Sequence, residues 1–216
     1  MNVMNPAIAD LRRDYRQQHL LETEVNPDPI QQFRHWFEQA VQAELLEVNA
    51  MTLATVTPEG KPAARMVLLK DVNPQGFAFF TNYNSRKGIE LEHAPAAALV
   101  FWWAELERQV RIEGQVHKVS ASESDGYFNS RPWGSRLGAW ASEQSQVIRD
   151  RHILEHRLHQ LEQDYQGQEV PRPPHWGGFR LSPTLIEFWQ GRPNRLHDRL
   201  NYRLLEDRWL LERLSP

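Results

Sequence analysis

The first regular pattern in the chain begins at Ile30. Apolar Ile30, Phe33, Phe37, Ala40, Val41 and Leu45 recur at helical spacing, which predicts an amphipathic helix. Residues 1–29 before it are polar and end in V-N-P-D-P, where two prolines interrupt any helix, so they read as an arm beside a single domain spanning 30–216. After the helix the period shortens. M-T-L-A-T-V-T (51–57), A-A-R-M-V-L-L-K-D-V (63–72) and F-A-F-F-T-N (77–82) read as strands, separated by the turns P-E-G-K and N-P-Q-G. S-R-K-G-I-E-L-E-H (85–93) predicts a short helix with Ser85 as its N-cap. A-A-A-L-V-F-W-W (96–103) and residues 108–119 predict a hairpin around A-E-L-E.

Residues 121–165 change to a helical period, with Val147, Leu154, Leu158, Leu161 and Tyr165 keeping one face apolar. P-R-P-P-H-W-G-G reads as a linker, and three strands follow near 178–190, 194–205 and 208–214. Strands joined by short turns argue for an antiparallel sheet, and the order sheet, helices, sheet predicts an α+β, mainly β fold: a barrel-like core with added helices. A doubly wound parallel sheet would need regular strand–helix alternation. No G-x-G-x-x-G opens a helix, which argues against a Rossmann dinucleotide site.

Composition narrows the chemistry. The 216 residues suit one domain, and 40% hydrophobic with 25% charged residues is ordinary for a globular protein. A formal charge of −3 argues against a nucleic-acid partner bound through a general basic field. Tight basic groups such as Arg12-Arg13, Arg86-Lys87 and Arg195 to Arg199 suit a small anionic ligand better, although such groups also pair with nearby acids. The absence of cysteine excludes disulfides and thiolate chemistry. No apolar stretch approaches the roughly 20 residues of a membrane span, and no basic region followed by an apolar run marks a signal peptide, so the expectation is a cytoplasmic protein.

On a strand over 194–205, Arg195, His197 and Arg199 would project from one face, and three neighbouring cationic groups need an anion or an acid to offset them. Glu187, Asp198 or Glu206 could supply it on a solvated face; Phe188 and Trp189 upstream favour instead a planar aromatic ligand. Ser135 at a helix start is open to two readings, a plain N-cap or a phosphate contact. His152, His156 and His159 share a helix face, but without a carboxylate motif they read as solvated rather than as metal ligands, and no metal is expected. Trp102 and Trp103 lie in an apolar strand and read as core or interface, and Phe33, Trp36 and Phe37 as packing.

The run I-E-F-W-Q-G-R-P-N-R-L-H-D-R (186–199) resembles the signature of pyridoxamine 5′-phosphate oxidases: Glu187, Phe188, Trp189 and Gln190, four variable residues, then Arg195, Leu196, His197, Asp198 and Arg199. Other segments resemble the same family over nearly the whole chain. R-M-V-L-L-K (65–70) resembles the strand that supplies Arg65 to the FMN phosphate and Lys70 to the substrate phosphate and flavin site. F-F-T-N-Y-N-S-R-K (79–87) resembles the flavin-binding turn with Thr81, Arg86 and Lys87, and has Phe80 where some relatives carry Tyr. L-E-R-Q-V supplies Gln109 near the flavin, and S-E-Q-S offers Gln144 and Ser145 to its phosphate. Y-F-N-S-R-P-W-G-S (127–135) resembles the substrate-phosphate cradle of Tyr127, Arg131 and Ser135. R-R-D-Y resembles a mobile lid within residues 1–29, in which Arg12 and Tyr15 close over substrate.

The resemblance implies an FMN-binding split β-barrel working as a homodimer with FMN at the subunit interface. It would oxidise pyridoxamine or pyridoxine 5′-phosphate to pyridoxal 5′-phosphate with dioxygen as acceptor. Arg195 and His197 would stand over the substrate ring as catalytic residues, and Trp189 and Arg199 would contact the flavin. A related flavin reductase using a nicotinamide donor, or a carrier without turnover, are the competing readings; the set Tyr127, Arg131, Ser135, Arg195 and His197 counts against the reductase, and intact Arg195 and His197 against the carrier. One geometric tension stands out. Arg65 and Lys70 are five residues apart, so a flat strand points them to opposite faces unless Lys70 lies at a bend or the two ligands approach from different sides.

Overall fold

The computed structural model of the chain describes Leu11 and residues 14–216. Among these lie five helices: α1 (Pro29–Gln42), α2 (Arg86–His93), α3 (Ala121–Ser130), α4 (Trp133–Ala141) and α5 (His152–Asp164). The strands are β1 (Ala50–Val56), β2 (Pro62–Leu68), β3 (Asp71–Asn73), β4 (Gly76–Asn82), β5 (Ala96–Trp103), β6 (Arg108–Lys118), β7 (Trp176–Gln190), β8 (Asp198–Leu205) and β9 (Arg208–Arg213). They hydrogen-bond in the order β2-β1-β5-β6-β7-β4-β3, with β8 on β7 and β9 on β8. The mainly β architecture with added helices is the one the strand–turn–strand pattern predicts. The chain divides into two compact units, and the division falls inside β5, β6 and β7. The first comprises Met1–Val48, Val100–Arg111 and Leu185–Pro216, the second Asn49–Leu99 and Ile112–Thr184.

In the first unit, the Asp28 carboxylate accepts the N–H of Ile30 and Pro29 takes the first helical position, so α1 starts where its donors are satisfied. Its apolar stripe buries Ile30, Phe33, Trp36 and Ala40. Phe33 lies 5.0 Å from Phe101, and Trp36 meets Phe188 edge-on at 5.1 Å. β7 and β8 pair antiparallel from Leu185↔Arg203 to Gln190↔Asp198. Residues 14–28 form neither helix nor strand, yet they are fastened along their length. Leu20 N–H donates to Asp198 at 3.1 Å, Arg213 donates to the Leu20 carbonyl at 2.8 Å, and Tyr202 O–H donates to the Asn26 carbonyl at 2.7 Å. Buried Arg108 lies 4.3 Å over the Trp36 ring and donates to Gln39, Gln190 and Gln18. Burial brings its pKa down to about 10.

In the second unit, β1 and β2 pair antiparallel from Ala50↔Leu68 to Val56↔Pro62, and Met51 and Leu53 point into the core. Ser85 caps α2 as its sequence predicts, its hydroxyl accepting the N–H of Gly88. The inner face of α2 carries Glu90, whose buried carboxylate receives Arg65 at 2.7 Å and Arg86 at 2.8 Å. The helical layer closes over Phe128, Leu137, Val170 and Trp176, with Leu158, Leu161 and Tyr165 of the α5 region against them.

Three sequence expectations are corrected. The strand expected over 63–72 is two strands. Leu69 N–H bonds back to Asn49 while Lys70 N–H bonds to Ala78, so the chain changes partner between adjacent residues and bends there. The apolar face expected from Val147 begins only inside α5, because Val147 precedes the helix and is fully exposed. The strand expected over 194–205 begins at Asp198. Pro193–Arg195 is instead a 3-10 turn, and Asn194 and Arg195 have φ of 56° and 61°. Arg195, His197 and Arg199 therefore do not alternate along one strand face.

Removing the shared acid of the second unit should be costly, since it leaves the Arg65 guanidinium largely buried without its charge partner. Glu90→Ala is expected to lose about 3 kcal/mol in urea unfolding at neutral pH. Burial pushes the Glu90 carboxyl up, but hydrogen bonds from Thr55, Arg86 and Arg65 outweigh it and hold the pKa below the usual 4.5. A depressed carboxyl contributes stability above its unfolded pKa and loses it as pH falls through the folded one, so the gap between the two proteins should narrow below pH 4.5.

Candidate active site

The second unit holds a cavity of about 650 Å³ lined by Met66, Lys70, Phe80, Thr81, Lys87, Tyr127, Arg131, Ser135, Gln144 and Trp176, among others. The bend after Leu69 places Lys70 here, which answers the spacing problem with Arg65. One wall is a stack of rings: Phe80 lies 4.1 Å from Tyr127 and 5.6 Å from Trp176, with interplanar angles of 26° and 16°. The Arg131 guanidinium lies 4.7 Å over Trp176, and its Nη1 is buried without a hydrogen-bond partner. Burial lowers the Arg131 pKa. Ser135 sits in the first turn of α4, whose N-cap is Pro132 with no side-chain cap bond, so the plain N-cap reading of Ser135 does not hold.

Lys87 donates to Gln144 at 3.1 Å and to Thr81 at 3.3 Å, bringing three of the expected flavin contacts together. Burial, and then repulsion from Arg65, lower the Lys87 pKa. Both shifts disfavour the cation, so an anion in this cavity would be stabilised by two groups that burial leaves under-compensated. Arg65 is not among the cavity-lining residues. Its guanidinium bonds Thr55 at 2.5 Å and Glu90 at 2.7 Å. Arg86 and Ser145 line a separate cavity of about 410 Å³ in the same unit. Gln109 stands half-buried on β6, within the first unit.

The first unit gathers the others. Tyr15, Arg192, Asn194, Arg195 and His197 line a cavity of about 490 Å³. Trp189 lies 4.5 Å from His197, and Tyr15 meets both rings edge-on, at 5.7 Å from Trp189 and 5.8 Å from His197. His197 Nδ1 lies 3.1 Å from the Arg192 N–H. A backbone amide can only donate, so Nδ1 is the acceptor and the proton of the neutral ring sits on Nε2. Burial lowers the His197 pKa from 6.5, and the neighbouring Arg195 charge adds to the shift. Arg199 forks onto buried Glu187 at 2.8 and 3.1 Å, and Arg111 reaches the same carboxylate at 2.6 Å. Arg12 lies outside the described residues.

Sequence reasoning missed Glu90 and Trp176, whereas Glu187 was among the acids it offered as partners for Arg199. An acid four residues after Arg86 on a helix was the available sign for Glu90. Trp176 was passed over because it stands in a proline-rich linker. Two of the three exposed histidines of α5 meet glutamates one turn on, His152 to Glu155 at 3.2 Å and His159 to Glu162 at 3.7 Å.

Residues 37–164 match the family description "Pyridoxamine 5′-phosphate oxidase", and residues 176–216 match "Pyridoxine 5′-phosphate oxidase C-terminal dimerisation region". A pyridoxine/pyridoxamine 5′-phosphate oxidase from Cyanothece sp. is 73% identical over 213 residues, covering 99% of this chain and 100% of that protein. The protein of the same name from Acaryochloris marina is 68% identical over 219 residues, covering 100% of both. Among solved structures, PhzG from Burkholderia lata in complex with tetrahydrophenazine-1-carboxylic acid has a TM-score of 0.86 at 32% identity, covering 91% of this chain and 98% of that one. A pyridoxamine 5′-phosphate oxidase-related, FMN binding protein from Nostoc punctiforme shares the fold, with a TM-score of 0.68 at 18% identity, covering 85% of this chain and 97% of that one. The fold is thus the split β-barrel of an oxidoreductase class. Within it, the chain belongs to the pyridoxamine 5′-phosphate oxidase family.

An NMR titration should find the His197 midpoint below 6.5. Arg195→Ala should raise it only part of the way, since burial is the larger cause. Because the folded protein binds this proton less readily than the unfolded chain, the site weakens stability as pH falls from 6.5 through the folded pKa.

Proposed function

We propose that this protein oxidises the 4′ carbon of pyridoxamine 5′-phosphate or pyridoxine 5′-phosphate to the aldehyde of pyridoxal 5′-phosphate. FMN is its resident cofactor and dioxygen the final acceptor. The alcohol with dioxygen gives aldehyde and hydrogen peroxide; the amine also consumes water and releases ammonia. The observation that carries the reading is the cavity where Lys70, Lys87 and Arg131 meet an aromatic wall, in a chain 73% identical to a relative named for this reaction. The same proposal places the protein in the cytoplasm and in vitamin B6 metabolism. No helix among the described residues is long and apolar enough to cross a membrane.

The residues present fit two phosphate esters. Each ester carries nearly two negative charges, and Arg131 Nη1 and the Lys87 ammonium are groups for which a bound anion would offset burial. Lys70, Tyr127, Arg131 and Ser135 would hold the substrate phosphate through a point charge, a guanidinium and two hydroxyls. Arg65, Lys70, Thr81, Arg86, Lys87, Gln144 and Ser145 would hold the flavin phosphate, while Phe80, Gln109, Trp189 and Arg199 would contact the rest of the flavin. Bound FMN supplies the hydride acceptor and the route of electrons to dioxygen. Arg195 fixes the substrate ring by its charge, and His197 presents an N–H at Nε2, so in its neutral form it donates to substrate while Arg192 holds Nδ1. Tyr15 and Arg12 cover the ring and exclude water. The protein acts as a homodimer, which the dimerisation-region match over 176–216 supports, and FMN would sit at the subunit interface.

Mixing the yellow protein anaerobically with pyridoxamine 5′-phosphate tests the reading. Flavin absorbance should bleach, then recover in air with aldehyde formed. A spectrum unmoved by this substrate but bleached by NADPH would replace the oxidase with a reductase, and one unmoved by both would leave a carrier. Arg131→Ala should raise KM about 10–100-fold with little change in kcat, because a phosphate contact is made alike in ground and transition states.

A further inference from the structure

The turn from β5 into β6 ends on Glu107, whose φ of 54° and ψ of 40° are left-handed, a conformation that ordinarily selects glycine. The residue is also 3% exposed, so a carboxylate is carried inward at a strained position. Both costs are offset by what the residue holds. Its Oε2 accepts the backbone N–H of Arg16 at 2.9 Å and of Gln17 at 3.2 Å. Its own carbonyl accepts the N–H of Gly191 at 2.8 Å and the Gln190 amide at 3.2 Å. One residue thus fastens the N-terminal segment with its side chain, and the start of the loop bearing Arg195 and His197 with its main chain.

Tyr15 lies between these two attachments. Its ring sits edge-on to Trp189 and His197, and it presses on the backbone of Gly191. A Cβ at position 191 would fall 2.7 Å from Tyr15 Cγ and 3.0 Å from the Glu107 Cβ. Further along, Gln18 receives Arg108, and its carbonyl accepts from Arg192 at 3.0 Å. Glu107 is the anchor nearest Tyr15, and it grips main-chain amides, which side-chain changes at residues 16 and 17 leave in place.

We infer that Glu107 is a positioning residue of the active site: its carboxylate sets Tyr15 against His197, in a seat that the missing side chain of Gly191 keeps open. The inference rests on the reading that Tyr15 and His197 face the substrate, and adds that the segment is latched before substrate arrives. Glycine at 107 relieves the backbone strain but removes the acceptor, whereas glutamine keeps an acceptor oxygen. The pair therefore separates the latch from the fold.

Amide hydrogen exchange on the full-length, FMN-loaded protein without substrate is the direct test. Arg16 and Gln17 amides should be protected in the parent and in Glu107→Gln, and exchange about 10–100-fold faster in Glu107→Gly. With pyridoxamine 5′-phosphate, Glu107→Gly should raise KM about tenfold with kcat within about threefold, and Glu107→Gln should restore KM. Unprotected Arg16 and Gln17 in the parent, or protection unchanged in Glu107→Gly, overturns the latch whether or not the protein turns over. Protection lost with KM unmoved would overturn its role in seating Tyr15 for substrate. Absence of turnover in the parent would count against the oxidase reading alone, since the exchange result still decides the latch.

Discussion

Guanidinium groups packed close together repel unless an acid stands between them, and each unit meets that constraint with one buried carboxylate. Glu90 takes Arg65 and Arg86; Glu187 takes Arg111 and Arg199. Burial alone would push both carboxyls up, yet hydrogen bonds, from Thr55 and two arginines at Glu90 and from two arginines at Glu187, carry both below the usual carboxylate range, so the acids stay charged and the forks stay aimed. A second class of cation is left over. Lys70, Lys87 and Arg131 line one cavity and Arg195 another, with no ion pair among the described residues. Some cations of the fold are thus held in place by buried acids, while others line the cavities without one.

That separation explains how far the sequence could be read. Motif identity marked both classes equally, because an arginine in a conserved-looking pattern does not disclose whether an acid already holds it. Arg65 and Arg199 illustrate the gap: each was expected at a flavin, and each has its guanidinium hydrogen-bonded to a carboxylate distant in sequence. Element types were far more legible. Helical spacing from Ile30, the Ser85 cap and the turn-punctuated strands all express local physics, and all appear close to their expected places.

The failures fall where tertiary hydrogen bonds overrule local pattern. Nothing between Ala63 and Val72 breaks a strand by composition, since neither glycine nor proline interrupts it. The break comes from Leu69 and Lys70 choosing different partners. After Gln190, Asn194 and Arg195 both adopt positive φ without a glycine, which delays β8 to Asp198. Each break re-aims a residue that a regular strand would have pointed elsewhere: Lys70 into the larger cavity, and Arg195 and His197 into the smaller one.

The stack of Phe80, Tyr127 and Trp176 bears on which substitutions the protein can absorb. Position 80 participates through the face of its ring, 4.1 Å from Tyr127. A hydroxyl at the rim of that ring lies outside the stacking contact, so phenylalanine and tyrosine are near-equivalent there as a surface. Drift between them is then expected to be neutral, while an aliphatic residue of equal bulk would leave the wall without its flat middle layer. What the stacking contact at this position requires is a shape rather than an identity.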